Sequence, residues 1–511
     1  MRDQMSTQDT ISRLDPGFRC LPLRSLADAA LSRAHEAGVD HADVRISRAL
    51  RGGWLARDGE IVATVDTTDT ACGVRVLHGG CWGFAATTDM RARAVAEAVD
   101  QAVALARLAA GINRLVHAPR VSLATEPVHR DVVWCSGYEI DPFDVPDAEK
   151  VEFLVSASTT LLGHPAVRHV EARLRVARET VFYADSRGSS TTQQRVRLHP
   201  VFTVSGVDAT AGTVRSVRTL GPATGRGWEY TRGVGWDWAE ELAQLPETLA
   251  EKTRAPAVRP GRFDLVIDPS NLALTIHETI GHATELDRVL GYEAAFAGTS
   301  FVTPGQLGEL RYGAPGMHVT ADRTTPHGLA TTGYDDEGVE AQSWSLVDDG
   351  VLVGFQTDQQ TAAHAGFSHS TGCSYAEGAR HVQMPRMANV SLRPDPAGGT
   401  VDDLIAGVEH GIYVVGDNSW SIDSRRQDFQ FTGQLFHRIE RGRLAGQLND
   451  VAYRGNTVRF WNSLARLGGP RTYLLCGAFN CGKGQPVQAA PVSHGSPAAV
   501  FEGVDVTCTA G

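Results

Sequence analysis

Residues 274–288, with the sequence LTIHETIGHATELDR, hold two histidines and a glutamate in an apolar run that is typical of a buried helix. A regular helix binds zinc through the pattern His-Glu-x-x-His, because histidines four residues apart lie on one face. Here His277 and His282 are five residues apart. On a regular helix that spacing separates the two side chains by about 140°. The segment can therefore hold a shared metal ion only if the helix is distorted.

A π-bulge is the distortion that would correct this spacing. With about 4.4 residues in one turn, side chains five residues apart return to within about 50° of each other. Gly281, just before the second histidine, relaxes the backbone, and π-bulges are common at functional sites. Coincidence is the alternative, since a chain with 18 histidines contains some close pairs by chance. We favour a metal site because Glu278 follows the first histidine, the position of the general base in zinc-binding helices.

A third ligand must come from elsewhere in the chain, because a catalytic zinc ion takes three protein ligands and keeps a fourth position open. Cys481 lies in the glycine-rich segment FNCGKGQPVQ (479–488), next to Lys483, whose charge favours a thiolate over a thiol. We therefore place Cys481 first among the candidates. The remaining candidates are Cys476, Cys373 and His494.

Three further residues are candidates for supporting roles. Glu285 and Asp287 follow the histidines and are candidate ligands or hydrogen-bond partners that fix the imidazole tautomers. Arg386, in the segment HVQMPRMAN, is equally consistent with a structural role in a turn and with a contact to substrate.

Composition excludes several classes of function. The formal charge of −11 and the absence of long Lys/Arg runs argue against a nucleic-acid partner or an anionic membrane surface. No stretch approaches 18 consecutive apolar residues, and the first residues do not resemble a secretion signal. The eight cysteines are too sparse and irregular for a disulfide framework. These observations predict a cytoplasmic protein without disulfides.

The hydrophobic periodicity predicts an α+β protein. Helical patterns cover 23–38, 89–110 and 237–255, whereas 41–49, 53–69, 71–88, 168–186 and 193–208 alternate as strands do, with predicted turns at the pairs DG (58–59) and GG (79–80). A strand over 263–271 precedes the metal motif, and short strand patterns dominate after residue 317. The proline-rich segment TRAPAVRPGR (253–262) is the best candidate for a boundary. We predict a flexible tail (1–20), a mixed α/β N-terminal domain (21–256) and a β-rich C-terminal domain (257–511) that carries the zinc-site helix.

In combination, five segments resemble the TldD/PmbA metallopeptidase family, and within it the catalytic TldD branch. They are GVRVLHGGCWGFAATTD (73–89), HETIGHATELD (277–287), YDDEG (334–338), HVQMPRMAN (381–389) and CGKGQP (481–486). The resemblance implies one Zn²⁺ per catalytic chain, bound by His277, His282 and the cysteine of the CGK segment, which is Cys481 here. It also implies two domains, the second of them β-rich.

The resemblance further implies endo- or exopeptidase activity on unfolded or extended peptides, such as the leader peptides of ribosomally made natural products. It implies a PmbA/TldE-type partner subunit, with a homo-oligomer as the alternative. Two segments depart from the family pattern. The glycine-rich stretch after Cys481 is shortened, and NSWSIDSRRQDFQF (418–431) replaces a more glycine-rich stretch.

Two other functions compete with the peptidase. One is a noncatalytic peptide-binding or scaffold subunit that keeps zinc for stability, with a fourth ligand such as His494 closing the site. The other is a regulator that acts on nucleic acid or gyrase, which the acidic charge disfavours. The sequence favours the peptidase over both.

Overall fold

The structure is a computed structural model, and it describes residues 7–117, 119–208 and 212–509. One seven-stranded sheet dominates the N-terminal half, in the order β3-β2-β1-β5-β6-β4 with β7 beside β6. Its strands are β1 (His41–Arg57), β2 (Glu60–His78), β3 (Cys81–Thr87), β4 (Val132–Cys135), β5 (His169–Asp185), β6 (Ser190–Asp208) and β7 (Thr213–Arg218). The helices of this half are α1 (Thr7–Ser12), α2 (Pro16–Arg19), α3 (Leu23–Glu36), α4 (Ala92–Val116), α5 (Asp147–Leu162) and α6 (Trp238–Lys252).

Two-residue turns set the register of the long hairpins. Asp58 and Gly59, with φ of 51° and 83°, connect β1 to β2, and Gly79 and Gly80, with φ of 60° and 78°, connect β2 to β3. Such left-handed pairs match the twist of antiparallel strands. The DG and GG turns predicted from the sequence are thus present, although the strands are longer than predicted. Helix α4 also continues to Val116, beyond the predicted end at residue 110.

The prediction of a flexible tail over 1–20 is wrong from residue 7 onward. Residues 7–12 form α1 and residues 16–19 form α2, and the Phe18 side chain is fully buried in the core beneath α3 and α4. Asp15 is also buried, and its carboxylate accepts a hydrogen bond from Arg178 of β5 at 2.7 Å. These long-range contacts fix a segment whose local sequence is polar. Residues 1–6 lie outside the described residues.

Two sheets dominate the C-terminal half, a six-stranded one in the order β11-β10-β9-β14-β21-β20 and a seven-stranded one. In the second, β15, β8, β22, β18 and β16 form a closed ring of pairings, with β17 and β19 outside it. The strands are β8 (Gly261–Ile267), β9 (Val319–Asp322), β10 (Ser343–Asp348), β11 (Val351–Leu352), β12 (Ser374–Tyr375), β13 (Met384–Pro385), β14 (Asn389–Leu392), β15 (His410–Ile422), β16 (Asp428–Glu440), β17 (Arg443–Leu448), β18 (Val451–Asn456), β19 (Leu464–Leu467), β20 (Leu474–Lys483), β21 (Gln488–Ser496) and β22 (Ala499–Cys508). The helices are α7 (Pro269–Ile276), α8 (Leu286–Val289), α9 (Gln359–His364), α10 (Val401–Ala406) and α11 (Thr457–Asn462).

The α+β class and the β-rich C-terminal half are therefore confirmed. All strands of the first sheet lie between residues 41 and 218, and those of the other sheets between 261 and 508. The exact domain bounds stay a prediction. In the part of the chain that the structure describes, we find no helix with the length and apolar character needed to cross a bilayer.

Buried ion pairs join the two halves at the YDDEG segment. The Arg75 guanidinium of β2 lies 2.7 Å from Asp43 and 2.9 Å from Glu337, and Arg45 of β1 lies 3.2 Å from Asp336. Because an unpaired buried charge is costly, these contacts fix how the N-terminal sheet lies on the C-terminal half. YDDEG is therefore a turn with a structural role.

Candidate metal centre

The metal motif occupies a helix that changes its winding at the first histidine. Asp268 caps α7 by accepting a hydrogen bond from the Ser270 amide at 2.9 Å, and α7 ends at Ile276. Residues His277–Gly281 then form a π-helical turn, closed by the His282 amide, which donates to the His277 carbonyl five residues earlier. The distortion predicted from the spacing is present, and the two imidazole centroids lie 4.7 Å apart.

Glycine is needed at position 281 for close packing and not for an unusual backbone conformation. Its φ of −52° and ψ of −62° are ordinary helical values that any residue adopts. A Cβ atom at this position would lie 2.9 Å from Sδ of Met387, which is closer than van der Waals contact allows. Glycine therefore lets the distorted helix approach Met387, a reason that differs from the one inferred from the sequence.

The structure brings Cys481 to the two histidines. Ligand atoms of His277, His282 and Cys481 lie within 4.8 Å of one another, and Cys481 Sγ is 3.5 Å from Nε2 of His282. Cys481 belongs to β20, at a point where the pairing of β20 with β21 shifts register. All three residues are at most 9% exposed. A tetrahedral zinc ion with bonds of about 2.3 Å to sulfur and about 2.05 Å to nitrogen separates two such ligand atoms by about 3.6 Å, so the donor set fits zinc.

The other candidate cysteines lie apart from this group. Cys476 Sγ is 3.6 Å from the Pro269 carbonyl, and Cys373 Sγ is 3.6 Å from Thr371 Oγ1. Burial raises the pKa of the Cys373 thiol to about 11 and that of Cys476 well above its ordinary value. Burial also opposes ionisation of Cys481, but His282 and Arg386 outweigh it and lower the pKa of that thiol. Of these three cysteines, the one beside the imidazoles therefore becomes a thiolate most readily.

Glu285 and Lys483 orient His282. Glu285 Oε2 accepts a hydrogen bond from Nδ1 of His282 at 2.8 Å, which leaves Nε2 facing Cys481. Lys483 Nζ lies 3.1 Å from Glu285 and 2.8 Å from Asp287, and it donates to the Pro385 carbonyl at 2.8 Å. Asp287 therefore contacts Lys483 and not the histidines. The same lysine links the strand of Cys481 to the carboxylate that holds His282.

His494 orients His277 in a comparable way. Nδ1 of His494 lies 3.1 Å from the Val390 carbonyl, which can only accept, so this nitrogen carries the proton. Burial and the neighbouring His277 hold the pKa of His494 well below its ordinary value, so its Nε2 is unprotonated. That atom lies 2.7 Å from Nδ1 of His277 and must accept from it. Nε2 of a neutral His277 then carries the lone pair that a metal ion requires.

Arg386 holds the backbone of the Cys481 strand. Its Nη2 donates to the Cys481 carbonyl at 2.5 Å and its Nη1 to the Gln488 carbonyl at 3.0 Å, and it is 2% exposed. Its hydrogen bonds fix the two strands of the β20–β21 hairpin.

Glu278 is 5% exposed, and Oε2 of its carboxylate accepts a hydrogen bond from Nη1 of Arg426 at 2.5 Å. Burial raises the pKa of Glu278, but His277, His282 and Arg426 outweigh it, so the pKa lies below its ordinary value. Glu278 is therefore an ionised carboxylate that can accept a proton. Sequence reasoning did not identify Arg426, which lies 148 residues away in a segment that departs from the family pattern.

Comparisons with known proteins identify the family of this chain. Residues 260–508 match the sequence model described as the PmbA/TldA metallopeptidase C-terminal domain, and residues 42–106 match that of domain 1 of the same family. The chain belongs to the TldD/PmbA metallopeptidase family. The first match spans the β-rich half, in which His277 and His282 lie.

Individual TldD/PmbA relatives match along most of the chain. A Methanothermobacter thermautotrophicus metalloprotease is 28% identical, over 90% of this chain and 93% of its own. An Archaeoglobus fulgidus metalloprotease is 30% identical, over 70% and 77% of the two chains. A protein from Saccharolobus solfataricus, named a zinc metalloprotease TldD homolog, is 23% identical over 91% and 96%. The named relatives are thus metalloproteases of nearly the same length.

Solved structures show the same fold at low sequence identity. A Thermotoga maritima protein whose name proposes that it modulates a DNA gyrase is 16% identical, with a TM-score of 0.74 over 95% of this chain and all of its own. TldE from Thermococcus kodakarensis is also 16% identical, with a TM-score of 0.69 over 94% of this chain and all of its own. These two structures support the fold.

Proposed function

We propose that this chain is a zinc-dependent peptidase that hydrolyses peptide bonds in unfolded or extended peptides, as an endo- or exopeptidase. The observation that carries the proposal is the convergence of two imidazoles and one thiol within 4.8 Å, beside the ionised carboxylate of Glu278. Relatives named metalloproteases support the reaction, and one named a zinc metalloprotease supports the metal.

His277, His282 and Cys481 would hold one zinc ion, through the two Nε2 atoms and Sγ. When bound, zinc lowers the pKa of a coordinated water toward neutrality and polarises a carbonyl group. Three protein ligands leave a fourth position for these roles. His494 does not fill it, because both of its ring nitrogens are engaged with His277 and Val390. This arrangement favours a catalytic site over the closed site of a scaffold subunit.

Glu278 would act as the general base and acid. Its carboxylate is ionised, so it can take a proton from water and return it to the leaving amine. Among the described residues, one hydrogen bond reaches this carboxylate, from Arg426 to Oε2. The other oxygen, Oε1, is therefore the one that would carry the proton. Burial of the site limits competing proton exchange with solvent.

An extended peptide would bind along β20. This strand ends the six-stranded sheet, and Ala478, Asn480 and Gly482 are exposed on it, whereas Cys481 is buried. Adding a strand to an open edge secures backbone hydrogen bonds with little sequence preference. A peptide on β20 would pass beside the metal ligand, which suits unfolded segments such as the leader peptides of peptide natural products.

We further propose a partner of the PmbA/TldE type, with a second copy of this chain as the alternative. The similarity of this fold to TldE supports pairing between chains of one architecture. Co-purification followed by mass measurement of the intact complex distinguishes the two. A mass of two copies identifies the homodimer, and a second polypeptide of similar length identifies the heterodimer.

Removal of the metal tests the proposed function. The purified chain, with any co-purified partner, should contain one zinc per chain and cleave an unstructured peptide. Chelation should abolish cleavage, and one equivalent of zinc should restore it, as measured by metal analysis and mass spectrometry of the peptide. A zinc-loaded protein that becomes more stable but cleaves no unstructured peptide would instead identify the scaffold subunit.

His494 offers a test of metal binding that does not depend on activity. His494→Leu removes the acceptor for Nδ1 of His277 and should weaken zinc binding by about 10–100-fold, since partners of metal ligands have effects of this size. His494→Gln keeps an acceptor and should lose less. Competition with a chelator measures both affinities. His437→Leu, at a partly buried histidine outside the metal group, is the matched control. Equal affinities in all three variants would contradict the role of His494.

A further inference from the structure

The pairing of Arg426 with Glu278 is a contact that the family pattern does not predict. Arg426 Nη1 lies 2.5 Å from Glu278 Oε2, and the two side chains are 15% and 6% exposed. Among the described residues, no other hydrogen bond reaches the Glu278 carboxylate. In such a sheltered place a guanidinium and a carboxylate interact strongly, so Arg426 determines where this carboxylate points.

The backbone around Arg426 is fixed from several sides. Arg426 lies in the turn between β15 and β16, where its amide donates to the Asp423 carbonyl at 3.1 Å and its carbonyl accepts from Thr457 Oγ1 at 2.8 Å. The carbonyls of the two preceding residues accept from the amides of Thr299 and Phe301, each at 2.7 Å. The guanidinium thus projects from an anchored turn and not from a free loop.

Arg426 also has an unfavourable backbone conformation. Its φ of 63° lies in the left-handed region, which disfavours residues with a Cβ atom and favours glycine. Residues held in this region often serve a functional site. Glycine would be more stable than arginine in this conformation, and the arginine side chain that occupies the position makes the contact to Glu278.

We propose that Arg426 is a positioning residue that holds Glu278 by Oε2 and so directs Oε1 toward the metal group formed by His277, His282 and Cys481. This inference rests on the proposed peptidase function. Arg426 makes no hydrogen bond to those three residues, so its removal should leave metal binding intact. Its loss should affect the proton transfer that Glu278 performs.

Arg426→Gly tests this, because glycine suits the left-handed turn while the variant loses the arginine side chain, including the guanidinium and its 3.5 Å hydrogen bond to the Ala297 carbonyl. Since misplacing a catalytic group by about 1 Å costs about 10²-fold in rate, we expect kcat to fall by about that factor with KM and zinc content unchanged. Added guanidinium ion at low, non-denaturing concentration should restore part of the rate. Arg441→Gly is the matched control, because Arg441 is exposed in another turn with φ of 49°. Its kcat should equal that of the wild type.

A second measurement needs neither zinc nor substrate. In the metal-free protein, the change in Tm caused by Arg426→Gly is compared in the wild-type and Glu278→Ala backgrounds, because alanine removes the acceptor that Arg426 contacts. If Arg426 holds the Glu278 carboxylate, the two changes differ, because the pair is coupled. This result stands even if the chain cleaves no peptide, so failure of the proposed function and failure of the positioning role are distinguishable.

Several outcomes overturn the proposal. A wild-type kcat in Arg426→Gly, or a higher one, shows that Glu278 does not need the contact. A lower kcat that guanidinium does not restore, or that comes with lost zinc, indicates a structural role. Identical Tm changes in the two backgrounds show that the pair is not coupled.

Discussion

Glu278→Gln is expected to retain its zinc and to lose kcat by about 10²–10⁴-fold, the usual contribution of a general acid–base group. Glutamine keeps the shape of the side chain and can still accept a hydrogen bond from Arg426, so the surrounding structure should persist. It cannot accept a proton near neutral pH. Metal analysis and steady-state kinetics on an unstructured peptide provide the measurements.

The matched control is Glu309→Gln, at an exposed glutamate outside the metal centre. It removes the same charge and should leave kcat unchanged. If Glu278→Gln cleaves the peptide at the wild-type rate, Glu278 is not the base. If it loses zinc together with activity, Glu278 supports the metal centre and the kinetic result says nothing about proton transfer.

The parts of this structure that the sequence predicts are those set by local spacing. Helix α3 follows the periodicity of its Leu and Ala residues, and the hairpin turns lie at the DG and GG pairs. The π-helical turn follows from the separation of His277 and His282, because no regular helix brings them together. Local chemistry decides all three.

Contacts between distant residues do not follow from local sequence patterns. His277 meets His494 217 residues away, and Glu278 meets Arg426 148 residues away. Both contacts depend on how distant segments pack together, which local patterns do not specify. Phe18 is a further example. Its polar neighbours predict a flexible tail, but long-range packing places its side chain in the core. The CGK context and the family resemblance favour Cys481, and spacing alone does not distinguish it from Cys476.

Cys481→Ser is expected to weaken zinc binding by more than about 100-fold, beyond the range that partners of metal ligands produce. Serine keeps the size of the side chain, but its hydroxyl stays neutral near neutral pH and is a poorer ligand than a soft thiolate. Cleavage should fall with the metal content. Chelator competition measures the affinity, and the cobalt-substituted protein should lose its thiolate-to-metal absorption band.

Cys476→Ser is the matched control because it changes the same atom on the same strand. Cys476 Sγ lies beside the Pro269 carbonyl, and the pKa of its thiol is shifted upward, opposite to that of Cys481. Zinc affinity and the cobalt band should therefore survive in Cys476→Ser. If the two variants bind zinc equally well, Cys481 is not a ligand, and the metal centre must recruit its third donor from another residue. If both variants lose the metal, the substitutions act by disturbing strand β20, and the loss does not identify the Cys481 thiolate as a ligand.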